Sequence, residues 1–288
     1  MHGNFHDPEE VKRVLEDRRF DVVVDWIAYT PDQIQKDIDL FRDRTGQYIF
    51  ISTAAAYQKP PASQPITESV PLNNPYWEYA RAKIACENML ISAYRELHFP
   101  VTIVRPSHTY DRTKIPIPGG GGYTMVDRMR KGKKVIVHGD GTSLWVLTHH
   151  QDFAKGFIGL LGNPHVIGDA FHITSDEVLT WNQIFEIIAR AAGAELRLVH
   201  VPSEGISAFD AEWGAGLVGD KAHSVIFDNT KIKRAVPGFL ATIPFVQGAS
   251  EILAWYDEDP KRQAVNEKFD RLVDRIAAKY DPVHLAAT

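Results

Sequence analysis

The chain alternates between short runs of β-formers and longer amphipathic stretches. Phe20 to Trp26 is Val-rich and reads as a strand, and Gln47-Tyr48-Ile49-Phe50-Ile51 reads as a second, buried one. Between them Thr30-Pro31-Asp32-Gln33 carries helix-start chemistry ahead of Ile34, Ile38 and Phe41, which share one helical face. Asp7-Pro8-Glu9-Glu10 has the same form before Val11, Val14 and Leu15. After a Pro-rich loop from Pro60 to Pro75, the segment from Tyr76 to His98 lacks Gly and Pro and is rich in helix formers. That composition predicts one long helix.

Strands alternating with helices across short connections predict an α/β fold, a Rossmann-like, doubly wound parallel sheet. Further on, Val135-Ile136-Val137-His138 and Ser143-Leu144-Trp145-Val146 flank Gly139-Asp140-Gly141-Thr142, the pattern of a hairpin. Asp152 to Leu161 reads as a helix, Ala170 to Ile173 as a strand, and Thr180-Trp181-Asn182-Gln183 as a capping box before Ile184, Ile187 and Ile188. Leu196 to Val201, a loop around Trp213, helices near Ser250 and Phe269, and a charged amphipathic tail from Asp257 to Lys279 suggest a smaller α+β C-terminal lobe. The expected division is a core of residues 1–112 and 146–176 and a substrate lobe of residues 113–145 and 177–288.

With 288 residues, 44% of them hydrophobic, the chain can bury a full core. A net charge of -5 gives no electrostatic footprint for nucleic acid or an anionic membrane. The single cysteine, Cys86, excludes an internal disulfide and reads as a small buried helix residue. No apolar run approaches the ~20 residues that span a bilayer, so a cytoplasmic location is expected.

The chemistry concentrates between Phe50 and Lys83. The strand ending at Ile51 delivers Ser52 and Thr53 to its C-terminal end, where ligands sit in open α/β sheets. On the following helix Tyr79 and Lys83 are four residues apart and share a face. A phenol with a pKa near 10 can act as acid/base at neutral pH only if nearby positive charge favours its phenolate. A lysine and an oxidised nicotinamide would supply that charge. Tyr79 is then the general acid/base, Lys83 its electrostatic helper and a ribose ligand, and Thr53 the hydroxyl that orients substrate. An exposed helix face with a snorkelling lysine would show the same spacing. Chance alone supplies about half a Tyr-x-x-x-Lys match per chain of this composition, and Tyr110/Lys114 is a second match. That pair lies in a segment without helical periodicity and reads as a loop. His149 and His150, as neighbours on a strand, should face opposite sides, which argues against a metal pair.

Several of these features together resemble a known family. They are Phe50-Ile51-Ser52-Thr53-Ala54-Ala55-Ala56-Tyr57, the Tyr79/Lys83 pair, Val101 to Arg105-Pro106 with Tyr110, and the helix start at Thr180. The family is the extended short-chain dehydrogenase/reductase superfamily, in particular its NAD-dependent epimerase/dehydratase branch. The resemblance implies an NAD or NADP cofactor touched by Asp7, Ala28, Tyr79, Lys83 and Pro106. It also implies a sugar-like carbinol substrate met by Thr53, Ser107, His108 and Trp145 under a covering loop from Pro106 to Val126. Nucleotide-sugar relatives carry a pyrophosphate-gripping Arg near the place of Trp145, so that substrate class is disfavoured. A homodimer through residues 31–43 and 76–98 is a family expectation. Some superfamily members resemble plastid RNA-binding proteins, so a cofactor-free binding or scaffolding role is the alternative.

One family feature is missing. The Gly-rich phosphate turn that opens the Rossmann fold has no counterpart before Asp7, and the sheet is expected to be N-terminally incomplete. The expectation is that roughly 50–70 further residues upstream encode it, and that this chain alone holds dinucleotides weakly. The one literal match, Gly214-Ala215-Gly216-Leu217-Val218-Gly219, follows no strand and opens no clear helix. Gly119 to Gly122, behind Pro116 and Pro118, reads as a flexible loop.

Overall fold

The computed structural model describes residues 8–281. Helix α1 (Pro8–Leu15), strand β1 (Val23–Asp25), helix α2 (Pro31–Phe41), strand β2 (Tyr48–Ile51), helix α3 (Glu78–Leu97) and strand β3 (Val101–Pro106) form the first half. Then come β4 (His108–Tyr110), α4 (Tyr123–Arg130), β5 (Val135–His138), β6 (Leu144–Trp145), β7 (Leu147–His149), α5 (His150–Ile158) and β8 (Ala170–Ile173). The chain ends through β9 (Leu179–Thr180), α6 (Trp181–Ala191), β10 (Leu198–Val201), α7 (Ser203–Ser207), α8 (Ala211–Gly216), α9 (Thr230–Ala235), α10 (Phe245–Asp257) and α11 (Glu267–Tyr280).

The main sheet runs β1-β2-β3-β8, parallel throughout. Period-two alternation divides its side chains between two cores. Tyr48, Phe50, Val101 and Ile103 pack with Ile34, Ile38 and Phe41 of α2 and with Cys86, Leu90 and Ala93 of α3. Ile49, Ile51 and Val104 face the other way, onto Phe153 of α5, Ile232 of α9, Leu160 and Phe239. Both faces are therefore covered, which is why β2 reads as an unbroken hydrophobic run. Both cap signatures hold: the Gln33 side chain accepts the Thr30 N–H at 3.1 Å, and Gln183 accepts the Thr180 N–H at 2.8 Å. His98, at φ 56°, closes α3 in the left-handed conformation.

Five expected elements are corrected. The hairpin around Gly139-Asp140-Gly141 does not form. β5 pairs in parallel with β10, and β6 pairs antiparallel with β9. The positive-φ glycines make the expected local turn, but β5 is buried on both faces and takes its partner from a distant segment. The loop around Trp213 is helix α8, capped by Asp210, whose carboxylate accepts the Trp213 N–H at 2.9 Å. The covering stretch from Pro106 to Val126 contains strand β4 and the start of α4 around its loop. The charged tail likewise divides, between the end of α10 and α11, whose Phe269, Val273 and Ile276 are buried. The strand expected from Phe20 is shorter, because Phe20 makes only an isolated bridge to Thr45.

One buried polar network fixes α3 on the sheet. Glu87 is fully buried and accepts from Arg105 Nε at 3.0 Å, from Arg105 Nη2 at 2.6 Å and from the Ser52 hydroxyl. The guanidinium also lies 5.0 Å from the Tyr57 ring centroid. Removing one partner strands a charge in a dry site, so Arg105→Leu should cost about 3–5 kcal/mol in urea unfolding, with part of the loss recovered in Glu87→Leu/Arg105→Leu. Equal stability of Arg105→Leu and the wild type would contradict this.

Candidate active site

The functional side chains project from three segments that meet at the C-terminal ends of β2 and β3. Thr53 caps a short turn after β2, its oxygen accepting the Ala55 N–H at 3.2 Å. Its own proton is not used in that contact, and the hydroxyl acts on the Tyr79 phenol, whose pKa it lowers. Tyr79 stands in the first turn of α3, its ring 4.9 Å from Trp77 and 6.2 Å from Tyr29.

Lys83, one turn further on, is 2% exposed. Its ammonium donates to the Ala28 and Ile51 carbonyls, both at 2.7 Å, and lies 4.6 Å from the Tyr29 and Phe50 ring centroids. Two of its three N–H groups are thus committed to backbone. Ala28 is placed by Asp25, whose Oδ1 accepts the Ile27 and Ala28 N–H groups at 2.7 and 2.9 Å. The chain of cause runs from Asp25 through the 26–28 turn to Lys83.

Burial raises the Tyr79 phenol above its ordinary value, and the nearby Thr53 hydroxyl only partly offsets it. Burial likewise lowers the Lys83 ammonium, with the charge of Asp25 as the main opposing effect. In this state Tyr79 is a proton donor, and the lysine alone does not make it basic.

Thr53, Tyr79, Pro106, Ser107, His108 and Trp145 line one cavity of about 620 Å³. The Ser107 hydroxyl lies 3.0 Å from that of Thr148. Trp145 Nε1 donates to His108 Nδ1 at 3.2 Å. Ala28 lines a separate groove of about 550 Å³ beside β1 and α2, with Asp25, Trp26 and Asp37. Asp7 lies outside the described residues. Tyr110 is core, its ring against His149 and Phe245, so the second Tyr/Lys match is not helical and its tyrosine does not line the cavity.

His149 and His150 differ from expectation. They sit at the β7–α5 junction with ring centroids 4.5 Å apart, because the helix begins where the strand was expected to continue. No group of three or more potential metal ligands occurs among the described residues. No helix there is long and apolar enough to cross a membrane.

The Gly-x-Gly-x-x-Gly match is helical. It spans α8 and a π-turn at Leu217–Lys221, far from any strand-to-helix phosphate loop. Its glycines serve close approach: a Cβ at Gly214 would overlap Ser207, and one at Gly219 would lie 2.7 Å from the Trp77 Cβ. The cavity also holds residues that sequence reasoning missed, namely Lys59, Trp77, Lys114, Asp220 and Lys221.

The profile of the NAD dependent epimerase/dehydratase family matches residues 1–173, and the chain belongs to that family. It is 25% identical over 206 residues to the chloroplast stem-loop binding protein of 41 kDa b of Arabidopsis thaliana, covering 69% of this chain and 50% of that protein. It is 22% identical to human dTDP-D-glucose 4,6-dehydratase, over 90% of this chain and 75% of the relative. It spans about half the length of the curated relatives it matches first. Among solved structures, UDP-glucuronic acid 4-epimerase from Bacillus cereus in complex with NAD superposes with a TM-score of 0.69 at 17% identity, over 91% of this chain and 81% of that one. At that identity the likeness establishes the fold.

The groove beside β1 holds a titrating carboxyl, Asp37. The Tyr48 hydroxyl lies 2.6 Å from an Asp37 oxygen and 3.0 Å from an Asp25 oxygen. One phenol proton cannot serve two carboxylates, and burial with the Asp25 charge raises Asp37 from 3.8 to about 7, against the opposing Tyr48 bond. The fold thus favours protonated Asp37. Its contribution to stability is full below about pH 4 and is lost as pH rises through about 7. The Tm of the wild type relative to Asp37→Asn should fall over that window, and parallel Tm profiles would contradict the assignment.

Proposed function

We propose that this chain is the core of a nicotinamide-dependent enzyme that oxidises a carbinol, transiently or as its net reaction, on a sugar-like substrate. The observation that carries the reading is the convergence of Thr53, Tyr79, Pro106, Ser107, His108 and Trp145 on one cavity, with Lys83 one helical turn behind Tyr79. Family membership and the B. cereus relative solved with NAD support the same cofactor class here.

The residues present suit the nicotinamide half of such a cofactor. Lys83 keeps one N–H beyond its two carbonyls, and Tyr79 and Pro106 border the cavity. When bound, the nicotinamide supplies the hydride acceptor or donor. Tyr79 takes the carbinol proton during oxidation and returns it during reduction, while the Thr53 hydroxyl fixes the shared oxygen. Lys83 ties the Ala28 turn at the groove to the end of β2 at Ile51 and adds positive charge behind the phenol. His108 and Trp145 orient the substrate. A stem-loop-binding role, as the Arabidopsis relative's name describes for that protein, is disfavoured by the net charge of -5.

The test is kinetic, with sugar acids, sugar phosphates and nucleotide sugars offered and reduced nicotinamide followed by absorbance. Tyr79→Phe should lower turnover by about 10²–10⁴ while dinucleotide affinity stays nearly intact, and Lys83→Met should harm both. Full turnover by Tyr79→Phe would overturn the assignment.

A further inference from the structure

The cavity is more cationic than the chemistry above requires. Its charged lining consists of Lys59, Lys114, Lys221 and Asp220, three cations against one anion, in a protein whose net charge is -5. Asp220 is shared: its carboxylate lies 3.0 Å from the Lys59 ammonium and 3.5 Å from that of Lys221. The Lys59 side chain is 1% exposed, so Lys59 and Asp220 form a buried, neutral pair. Two positive charges remain, on Lys221 and Lys114.

Lys221 is held in place. Its ammonium lies 5.2 Å from the Trp77 ring and 5.6 Å from the Trp145 ring, between two indoles. Its backbone carbonyl is 3.1 Å from Trp181 Nε1, which donates to it, and 2.9 Å from His138 Nε2. The π-turn that carries it is clamped against the loop leading into α3, where the Gly219 carbonyl accepts from Asn74 Nδ2 at 2.6 Å. Lys114, on the loop at the cavity wall, has no ion pair among the described residues.

His108 adds a directed donor. An indole N–H can only donate, so His108 Nδ1 carries a lone pair, and the neutral ring bears its proton on Nε2. Burial and the charges of Lys221 and Lys114 push the imidazole down to about 3, which keeps it neutral. Its Nε2–H has no partner among the described residues and is free to donate.

We propose that these groups form an oxyanion subsite: Lys221, Lys114 and His108 Nε2–H receive a compact carboxylate or phosphate carried by the substrate. One partly desolvated ammonium, Lys221, one exposed ammonium, Lys114, and one neutral donor match an oxyanion's charge and lone pairs, and a cleft of one sign concentrates such ligands. Trp77 spans from Lys221 to Tyr79, with its ring 4.9 Å from the phenol ring, so the anion sits close to the reacting carbon. The substrate class is a small anionic carbinol, a sugar acid or a sugar phosphate. This deepens the reading of the cavity as a substrate site, yet its test needs neither cofactor nor turnover and so fails or succeeds separately.

The experiment is calorimetric titration of the whole chain with glucuronate, glucose 6-phosphate and neutral glucose. At least one anionic sugar should bind about tenfold more tightly than glucose, and the tighter of the two identifies carboxylate or phosphate as the group recognised. Lys221→Met and Lys114→Met should each weaken that binding about tenfold, with Lys114→Met, on an exposed loop side chain, guarding against a folding artefact. Equal affinity for glucose, no anion binding at millimolar concentration, or unchanged anion affinity in both lysine variants would overturn the proposal.

Discussion

The Lys83 ammonium is the junction on which the first half of the fold depends. From the second turn of α3 it reaches the carbonyl of Ile51, at the end of β2, and that of Ala28, in the turn after β1. Two strand ends and one helix are thereby fixed by a single buried cation. Such a charge is tolerable only where acceptors replace its water, and here two carbonyls and two aromatic faces do so. The same helical stripe continues the arrangement at four-residue intervals. Tyr79 opens on the cavity, Lys83 binds the strand ends, and Glu87 locks onto Arg105 of β3 and Ser52. A helix that must satisfy two buried charges has one workable rotation, and that rotation aims the phenol of Tyr79 at Thr53.

The cavity is built differently from the groove. The groove beside β1 follows from the parallel sheet, whereas the cavity depends on residues brought together across long chain separations. Asp220 and Lys221 sit on a π-turn, Lys59 on the loop after β2, and Lys114 on the loop after β4. Gly219 is needed because the π-turn approaches Trp77 closely, and so a glycine-rich string that resembles a phosphate loop serves packing.

What was legible in the sequence was what local chemistry decides. The caps at Thr30 and Thr180, the apolar face of α2 and the span of α3 follow from spacing within a few residues, and they stand. The pairing of β5 was not legible, because its turn looks like a hairpin while its partner, β10, lies some sixty residues on. Thr53 and Tyr79 followed from strand end and helical spacing, whereas Ser107, His108 and Trp145 could be added only because the chain resembles a family. Lys59, Glu87 and Lys221 were not singled out, since a charged residue in sequence reads as surface until a buried partner is seen.

The central claim is that burial keeps Tyr79 protonated and that the cofactor's positive charge, added to a fixed Lys83, makes it basic. Ultraviolet difference titration of the wild type against Tyr79→Phe isolates this phenol. It should be run with and without saturating oxidised nicotinamide mononucleotide, the half of the cofactor that the proposed function assigns to Tyr79 and Lys83. The account predicts phenolate absorbance appearing at lower pH when the mononucleotide is bound. A Tyr79 titration unmoved by bound mononucleotide would contradict it.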